Sequence, residues 1–298
     1  MTRNLDRESI LSHVLRVERI VFESDVVCAG LFRCAPEDLL FPGGSPCSAH
    51  SIVFPREVAW IQHEGGPRFV ADTSMATIYN RGQVYRRWSI GERPDRSDWL
   101  AFPDTVIRDA VTRFSGADGE SPATPLRHVC ATVDAHLYAR QRRLFVALER
   151  QSAGDALAVE ECALGLLEAV LLSAYGASHP QRSNPRLSRR TADAIEFARF
   201  AIAREPGSRH SLPSLARACE LSPFHLCREF RRITGQTITA YRTQLRLRHS
   251  LEPVAAGVDL STVALDLGFT SHSHFSAAFR RTFGIVPSSL RQGRISSP

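Results

Sequence analysis

The sequence contains no lysine: all 37 of its basic residues are arginine. Genome composition accounts for such a bias, and no mechanism is read from it. No run of about 18 apolar residues occurs, which excludes a membrane-spanning helix. Met1 to Ile10 lack the basic-then-apolar pattern of a signal peptide, so a cytoplasmic protein is expected. The seven cysteines are odd in number and lack paired spacing, which fits free thiols rather than a disulfide framework.

At 298 residues the chain is long enough for two domains with a core each. Its charge is unevenly placed. From Leu187 to Pro298 there are 16 Arg against 8 acidic residues, while the preceding part carries 21 Arg against 23 acids. The positive excess therefore belongs to the C-terminal third, as a phosphate-binding surface requires.

From about Val14 to Ala110 the sequence reads as short strands between turns. Ser51-Ile-Val-Phe, Val58-Ala-Trp-Ile, Arg68-Phe-Val-Ala, Ala76-Thr-Ile-Tyr and Trp99-Leu-Ala-Phe are β-branched or aromatic-rich. Pro42-Gly43-Gly44, Gly65-Gly66-Pro67, Asn80-Arg81-Gly82 and Gly91-Glu92-Arg93-Pro94 break them. Such regular spacing suggests a small barrel or sandwich. Two helices follow, one with Leu137, Leu144, Phe145 and Leu148, the next over Leu157 to Tyr175. A polar stretch twice interrupted by proline, Ala177 to Arg186, reads as a linker. Ser188 to Arg204 is then a helix with Ile195, Ala198 and Ile202 on one side, stopped by Pro206-Gly207.

The C-terminal third contains a duplication. Leu212, Leu215, Ala216 and Leu221 recur 48 residues later as Leu260, Val263, Ala264 and Phe269. Leu226, Phe230, Arg231, Arg232 and Gly235 recur 49 residues later as Phe275, Phe279, Arg280, Arg281 and Gly284. The one-residue slip falls where a turn is expected, so each copy reads as a helix-turn-helix. Between the copies, Ile238 to Glu252 reads as a helix that Pro253 should stop, a rigid spacer of roughly 20 Å.

In the first copy Leu226 and Phe230 pack inward as an i, i+4 pair, which leaves Phe224, Cys227 and Arg228 for base edges. Arg228 can fork onto guanine O6 and N7, and Phe224 can meet a thymine methyl. In the second copy Phe275 and Phe279 point inward, with His272, Ser273, His274 and Ala277 on or near the groove side. None of these has the geometry of arginine, so backbone contact is the expected job of that copy. His272 and His274, two apart on a helix, point to different sides and make no metal pair. Arg231, Arg232, Arg280 and Arg281 suit either phosphate contact or the negative helix ends.

With these motifs in place, residues 188–292 resemble the DNA-binding domain of the AraC/XylS family of bacterial transcription regulators. The resemblance rests on Gly268-Phe269, Ser273, Phe275, Phe279-Arg280, Phe283-Gly284, Pro287 and Arg291. The first copy carries Leu215-Ala216, Ser222, Leu226, Phe230 and Thr234-Gly235, and the linking helix adds Tyr241 with Leu245-Arg246-Leu247. It implies promoter DNA as partner, RNA polymerase as a further partner in transcription activation, and seven helices. It also puts the base contacts on Phe224, Cys227, Arg228, His272, Ser273, His274 and Ala277. Two positions depart from the pattern: Pro253 falls where the linking helix usually continues, and Ala277 replaces a larger polar residue.

The expected fold class is α+β and multidomain. Residues 1–180 are expected to form a cupin-like barrel or sandwich sensor with trailing helices, 181–187 a linker, and 188–293 an all-α domain with two helix-turn-helix units. The sensor half resembles the family only in architecture, with His50-Ser-Ile-Val-Phe, Ala71-Asp72 and Tyr79-Asn80-Arg81-Gly82 as points of likeness. Three readings of it compete. A small-molecule effector pocket would be lined by Trp60, Phe69, Tyr79, Tyr85 and Trp88. A metal or thiol sensor would use Cys28, Cys34, Cys47 and His50, whose spacings match no standard zinc pattern. A cupin-type enzyme would need a His-x-His pair, but residues 1–115 offer only His13, His50 and His63. The expectation is therefore a regulator rather than an enzyme, with no catalytic residue, metal or cofactor. The apolar helix Leu157 to Tyr175 is expected to pack on the barrel or pair with its copy in a homodimer.

Overall fold

The structure, a computed structural model, describes residues 18–35, 46–89, 94–114, 124–176, 188–208 and 210–291. The expected linker 181–187 and the turns at Pro42-Gly43-Gly44 and Gly91-Glu92-Arg93 lie outside them. The chain divides into two compact units, Met1–Thr132 with Gln141–Ala177, and Val133–Arg140 with Ser178–Pro298. The first is β-rich and the second helical.

In the first unit, strands β1 (Glu18–Glu23), β2 (Cys28–Cys34), β3 (His50–Pro55), β6 (Met75–Tyr79), β8 (Asp95–Phe102) and β9 (Cys130–Thr132) form one antiparallel sheet. Its order is β1-β2-β8-β3-β6-β9. Strands β4 (Ala59–His63), β5 (Arg68–Ala71) and β7 (Tyr85–Ser89) form a second sheet, ordered β5-β4-β7. Period-two alternation gives the large sheet two different faces. Ile52, Phe54, Leu100 and Phe102 bury one face completely or nearly so. Asp98 shares it and is held by Gln141 and Arg142. The other face, with Tyr79, Asp95 and Ser97, meets the small sheet. Helix α1 (Asp104–Thr112) follows β8, α2 (Ala135–Glu149) follows β9, and α3 (Ala156–Gly176) buries Val159, Ala163, Leu166, Leu167, Val170, Leu171 and Ala174.

The second unit contains seven helices among its described residues after Ser188. They are α4 (Arg189–Arg204), α5 (Leu212–Ala218), α6 (Pro223–Thr234), α7 (Ile238–Ala255), α8 (Leu260–Asp266), α9 (His272–Phe283) and α10 (Pro287–Arg291). Ser188, Ser211, Ser222, Thr237, Asp259 and Ser271 each cap a helix, accepting from an otherwise orphaned amide. Leu226, Phe230 and Tyr241 bury the core of the first helix pair, with the Phe230 and Tyr241 rings 5.4 Å apart. In the second, Phe269, Phe275, Phe279 and Phe283 form a continuous ladder of tilted and edge-on rings.

The linking helix corrects one expectation. It does not stop at Pro253 but runs through it to Ala255. The proline sits in the last turn, where a missing N–H costs one hydrogen bond. Val254 is fully buried among the core residues of the second helix pair, and Ala256 N–H donates across the proline to Glu252 O. Burial of the following residue outweighs the lost bond. The spacer is therefore 18 residues, or roughly 27 Å.

Arg246 joins the two helix pairs at the middle of α7. Its guanidinium is buried and donates to the carbonyls of Pro206 (2.6 Å), Gly207 (3.4 Å), Ser208 (3.2 Å) and Gly268 (2.9 Å). The first three lie in the turn before α5, and the last lies in the turn between α8 and α9. Arg248, two residues on, is also buried and donates to Val133 O (2.6 Å) within the same unit.

Candidate nucleic-acid interface

Helices α6 and α9 begin alike. Ser222 accepts from His225 N (3.2 Å) and Pro223 occupies the first turn; Ser271 accepts from His274 N (3.1 Å). Both end at a left-handed glycine, Gly235 and Gly284. Leu226 and Phe230 on α6 and Phe275, Ala278 and Phe279 on α9 point inward, and on α6 Glu229 is buried beside the apolar pair.

The outward faces follow from 3.6 residues per turn. On α6, Phe224, Arg228 and Arg231 stand above one another at i, i+4 and i+7, with Cys227 beside them. All four are exposed, Phe224 at 75% and the Arg228 side chain at 60%. At 75% exposure the Phe224 ring lies on the surface of the helix beside two arginines rather than among its packed residues. It is no core residue. The equivalent stripe on α9 is Ser273, Ala277 and Arg280, all exposed.

The two histidines of α9 are exposed but engaged locally. His274 Nδ1 is 3.0 Å from Thr270 Oγ1, and its ring meets Phe269 edge-on at 5.5 Å. His272 Nε2 is 3.4 Å from Ser276 Oγ. Among the described residues, Arg231, Arg280 and Arg281 are exposed and carry no side-chain partner. Arg232 differs, because its guanidinium is tied to Glu229.

Glu229 is the residue that sequence reasoning missed. It is 6% exposed, although it follows Arg228 directly. Arg228 Nε donates to its Oε1 (3.0 Å), Arg232 Nε donates to its Oε2 (2.7 Å), and His225 Nε2 lies 4.0 Å away. Burial alone would raise its pKa, but the hydrogen bonds of Arg232 and Arg228 outweigh that and hold it below the ordinary carboxylate range. A partial signal did exist, since an acid with an arginine at +3 can pair with it on a helix, whereas the contact with the adjacent Arg228 has no such periodicity.

In the first unit the five expected effector residues are not brought together. Phe69, Tyr79 and Tyr85 point between the sheets. The Tyr79 ring lies 4.6 Å from Tyr85 and stacks at 5.0 Å on His63, which sequence reading had not placed there. Trp60 and Trp88 correct the expectation: they are cross-strand neighbours on the opposite, half-exposed face, with Arg68 over the Trp60 ring at 4.8 Å. Alternation along a strand puts Trp60 and Ile61, or Trp88 and Arg87, on opposite sides. Arg87 is the second residue missed; it is buried between the sheets and paired with Asp95 and Ser97. Burial opposes its charge, but the Asp95 carboxylate prevails and raises its pKa further. Burial also pushes Tyr79 up to about 12, so its hydroxyl stays neutral.

The sulfur-rich set is likewise dispersed. Cys28 and Cys34 occupy opposite ends of β2, about 20 Å apart by strand rise. His50 Nδ1 accepts from Arg81 N (3.2 Å), and its Nε2 lies 3.5 Å from Asp104. Burial and the nearby Glu18 push the Cys47 thiol up to about 12, the wrong direction for a reactive thiolate. Among the described residues no group of three or more His, Cys, Asp or Glu side chains could hold a metal ion. No helix among them is long and apolar enough to cross a membrane.

A family profile described as a helix-turn-helix domain matches residues 215–293. The HTH-type transcriptional regulator GlxA of Rhizobium meliloti is 36% identical over 80 residues, covering 26% of this chain and 25% of that protein. The HTH-type transcriptional activator RhaS of Escherichia fergusonii is 30% identical over 172 residues, covering 55% and 58% respectively. The chain thus spans 25% and 58% of the lengths of these two curated relatives. Among solved structures, ToxT from Vibrio cholerae O395 aligns over 92% of this chain and 100% of that one, at 12% identity and a TM-score of 0.35.

Proposed function

We propose that this chain is a member of the AraC/XylS family of regulators and a sequence-specific DNA-binding transcriptional regulator. The observation that carries the reading is the exposed Phe224, Arg228, Arg231 stripe on a capped helix, in the part of the chain that holds the whole positive excess. The unit responsible is residues 188–293, with two helix-turn-helix units, α5–α6 and α8–α9. They enter successive major grooves of promoter DNA, spaced by α7 and fixed by Arg246. Phe224, Cys227 and Arg228 face bases in one groove; Ser273 and Ala277 face the other, flanked by His272 and His274. Arg231, Arg280 and Arg281 contact phosphates, and Arg232 does so through whatever reach Glu229 leaves it.

Residues 1–180 are a cupin-like sensor that takes a small-molecule effector between its sheets, near Phe69, His63, Tyr79 and Tyr85. Exposed Leu157, Leu164 and Leu172 run along α3 and support pairing with a second copy. RNA polymerase is the further partner, and the cytoplasm the place of action.

The full chain should bind duplex DNA with an affinity that falls steeply with salt, the log–log slope being about −0.9 per neutralised phosphate. Anisotropy titrations between low and physiological salt test this. A flat salt response, or no binding at low salt, would sink the reading.

Cys227 offers a footprint on the same helix face. It is exposed, whereas Cys219 at the C-terminal cap of α5 is buried and its thiol is pushed up to about 11 by that burial. A bulky thiol reagent should label Cys227 in free protein and abolish DNA binding, while bound operator should protect it. Equal labelling with and without operator, read by mass spectrometry with Cys219 as the internal comparison, would mean that α6 presents a different face.

A further inference from the structure

The carboxylate of Glu229 is covered by the side chains of Arg228, Arg232 and His225 on its own helix, an arrangement that the fold of the helix does not require. The duplication shows what the position needs structurally: 49 residues on, the same inward site of α9 is Ala278, buried to 2% exposure. The neighbouring outward site changes with it. Where α6 has Arg228-Glu229, α9 has Ala277-Ala278. The acid is present in the copy that carries a groove-facing arginine and absent from the copy that does not.

The geometry of the contact says what the acid does. A guanidinium offers two hydrogen-bonding edges, one through Nε and one through its two terminal nitrogens. Glu229 Oε1 takes the Nε of Arg228 at 3.0 Å. That leaves the terminal edge, the one able to fork onto guanine O6 and N7, directed away from the carboxylate. Glu229 is itself held, because Arg232 grips its other oxygen at 2.7 and 2.6 Å from the following turn. A long side chain that would otherwise sample many rotamers is thus presented in one orientation.

We propose that Glu229 is a positioning residue for base readout, fixing Arg228 so that its terminal edge reads guanine in the major groove. This rests on the reading of α6 as a DNA-reading helix. Glu229 touches no base; it acts through Arg228. Its negative charge lies close to the DNA surface, so it lowers affinity for any duplex while raising discrimination between duplexes.

The test uses the full chain, with a duplex enriched from a random library by the wild type and a scrambled duplex of equal length. Glu229→Ala installs the residue that the duplicate already uses. Glu229→Gln keeps the size and one acceptor oxygen, and so reports even if the alanine variant is unstable. Both variants should bind scrambled DNA as well as the wild type or better. Their preference for the enriched site should fall severalfold with alanine, by less than the loss that Arg228→Ala causes, and less again with glutamine, which can still accept from Nε. In an Arg228→Ala background, Glu229→Ala should cause no further loss of preference, since the effects of two residues acting through one contact do not add. Parallel shifts on both duplexes would overturn the positioning role and leave Glu229 a mere charge. So would an undiminished loss in the Arg228→Ala background. A wild type that enriches no sequence would instead overturn the DNA reading itself, and the role of Glu229 with it.

Discussion

Gly268→Ala is expected to abolish the native packing of the second helix pair. Gly268 closes the turn between α8 and α9 with φ at +72°, a conformation that costs an L side chain about 1–2 kcal/mol. An added Cβ would collide with the carbonyl oxygen of Gly207 and lie 2.8 Å from Arg246 Nη2. Neither neighbour can yield, because the backbone of 206–208 and the Arg246 guanidinium hold each other in place. Moving Arg246 leaves a buried cation without its carbonyls, a loss of about 3–5 kcal/mol. The sum is about 4–7 kcal/mol, against a total stability of about 5–15 kcal/mol. Gly235→Ala supplies the control. Its φ is +75°, but nothing lies within 4 Å, so only the backbone term of about 1–2 kcal/mol applies. Urea unfolding can tell where the damage falls. Trp60, Trp88 and Trp99 all belong to the first unit. Tryptophan fluorescence should therefore keep its midpoint in Gly268→Ala while the far-UV circular dichroism midpoint drops sharply. Similar losses in Gly268→Ala and Gly235→Ala would show that the turn is not as tightly packed as described.

Arg228→Ala should carry the largest effect on DNA recognition. A bidentate arginine–guanine contact discriminates by about 1–3 kcal/mol, so preference at one position should fall by about five- to a hundredfold. Arg281→Ala is the counterpart. Exposed at the end of α9 and without a side-chain partner among the described residues, Arg281 should weaken cognate and random duplexes alike and reduce the salt slope by about one. Binding curves on both duplexes at several salt concentrations separate the two roles. If the two variants lose the same things, the division between base reader and phosphate contact is wrong.

How much of this was legible beforehand differs between the halves. In the helical half, strong local signals coincide: serine caps, proline in the first turn, glycine at the ends, and i, i+4 apolar pairs at 226/230 and 275/279. Local chemistry decides such elements, and the duplication states it twice. Pro253 was misjudged because a local rule was applied to a residue whose successor, Val254, is fully buried. In the β-rich half, β3, β4, β5, β6 and the end of β8 were visible as β-branched or aromatic runs. Cys28-Ala-Gly-Leu-Phe-Arg-Cys34 was not, since glycine and alanine depress strand propensity while cross-strand pairing with β8 decides the outcome. The effector set failed for a related reason: aromatic character was visible, but the side of the strand was not, and a one-residue error turns a side chain through the sheet.

The sequence by itself determined that the C-terminal third repeats a helix-turn-helix pattern, that this third carries the positive charge, and which faces of α6 and α9 turn outward. These follow from helical period and capping, which act over a few residues. Only the tertiary structure decided that Arg246 ties two turns 62 residues apart, Pro206 and Gly268, into one frame. It alone separated Trp60 and Trp88 from Tyr79 and Tyr85, and buried Glu229 beneath Arg228. Those outcomes depend on which backbone carbonyls and neighbouring surfaces come within hydrogen-bond reach once distant segments pack. Buried polar groups must find such partners, and a linear pattern does not say where those partners lie.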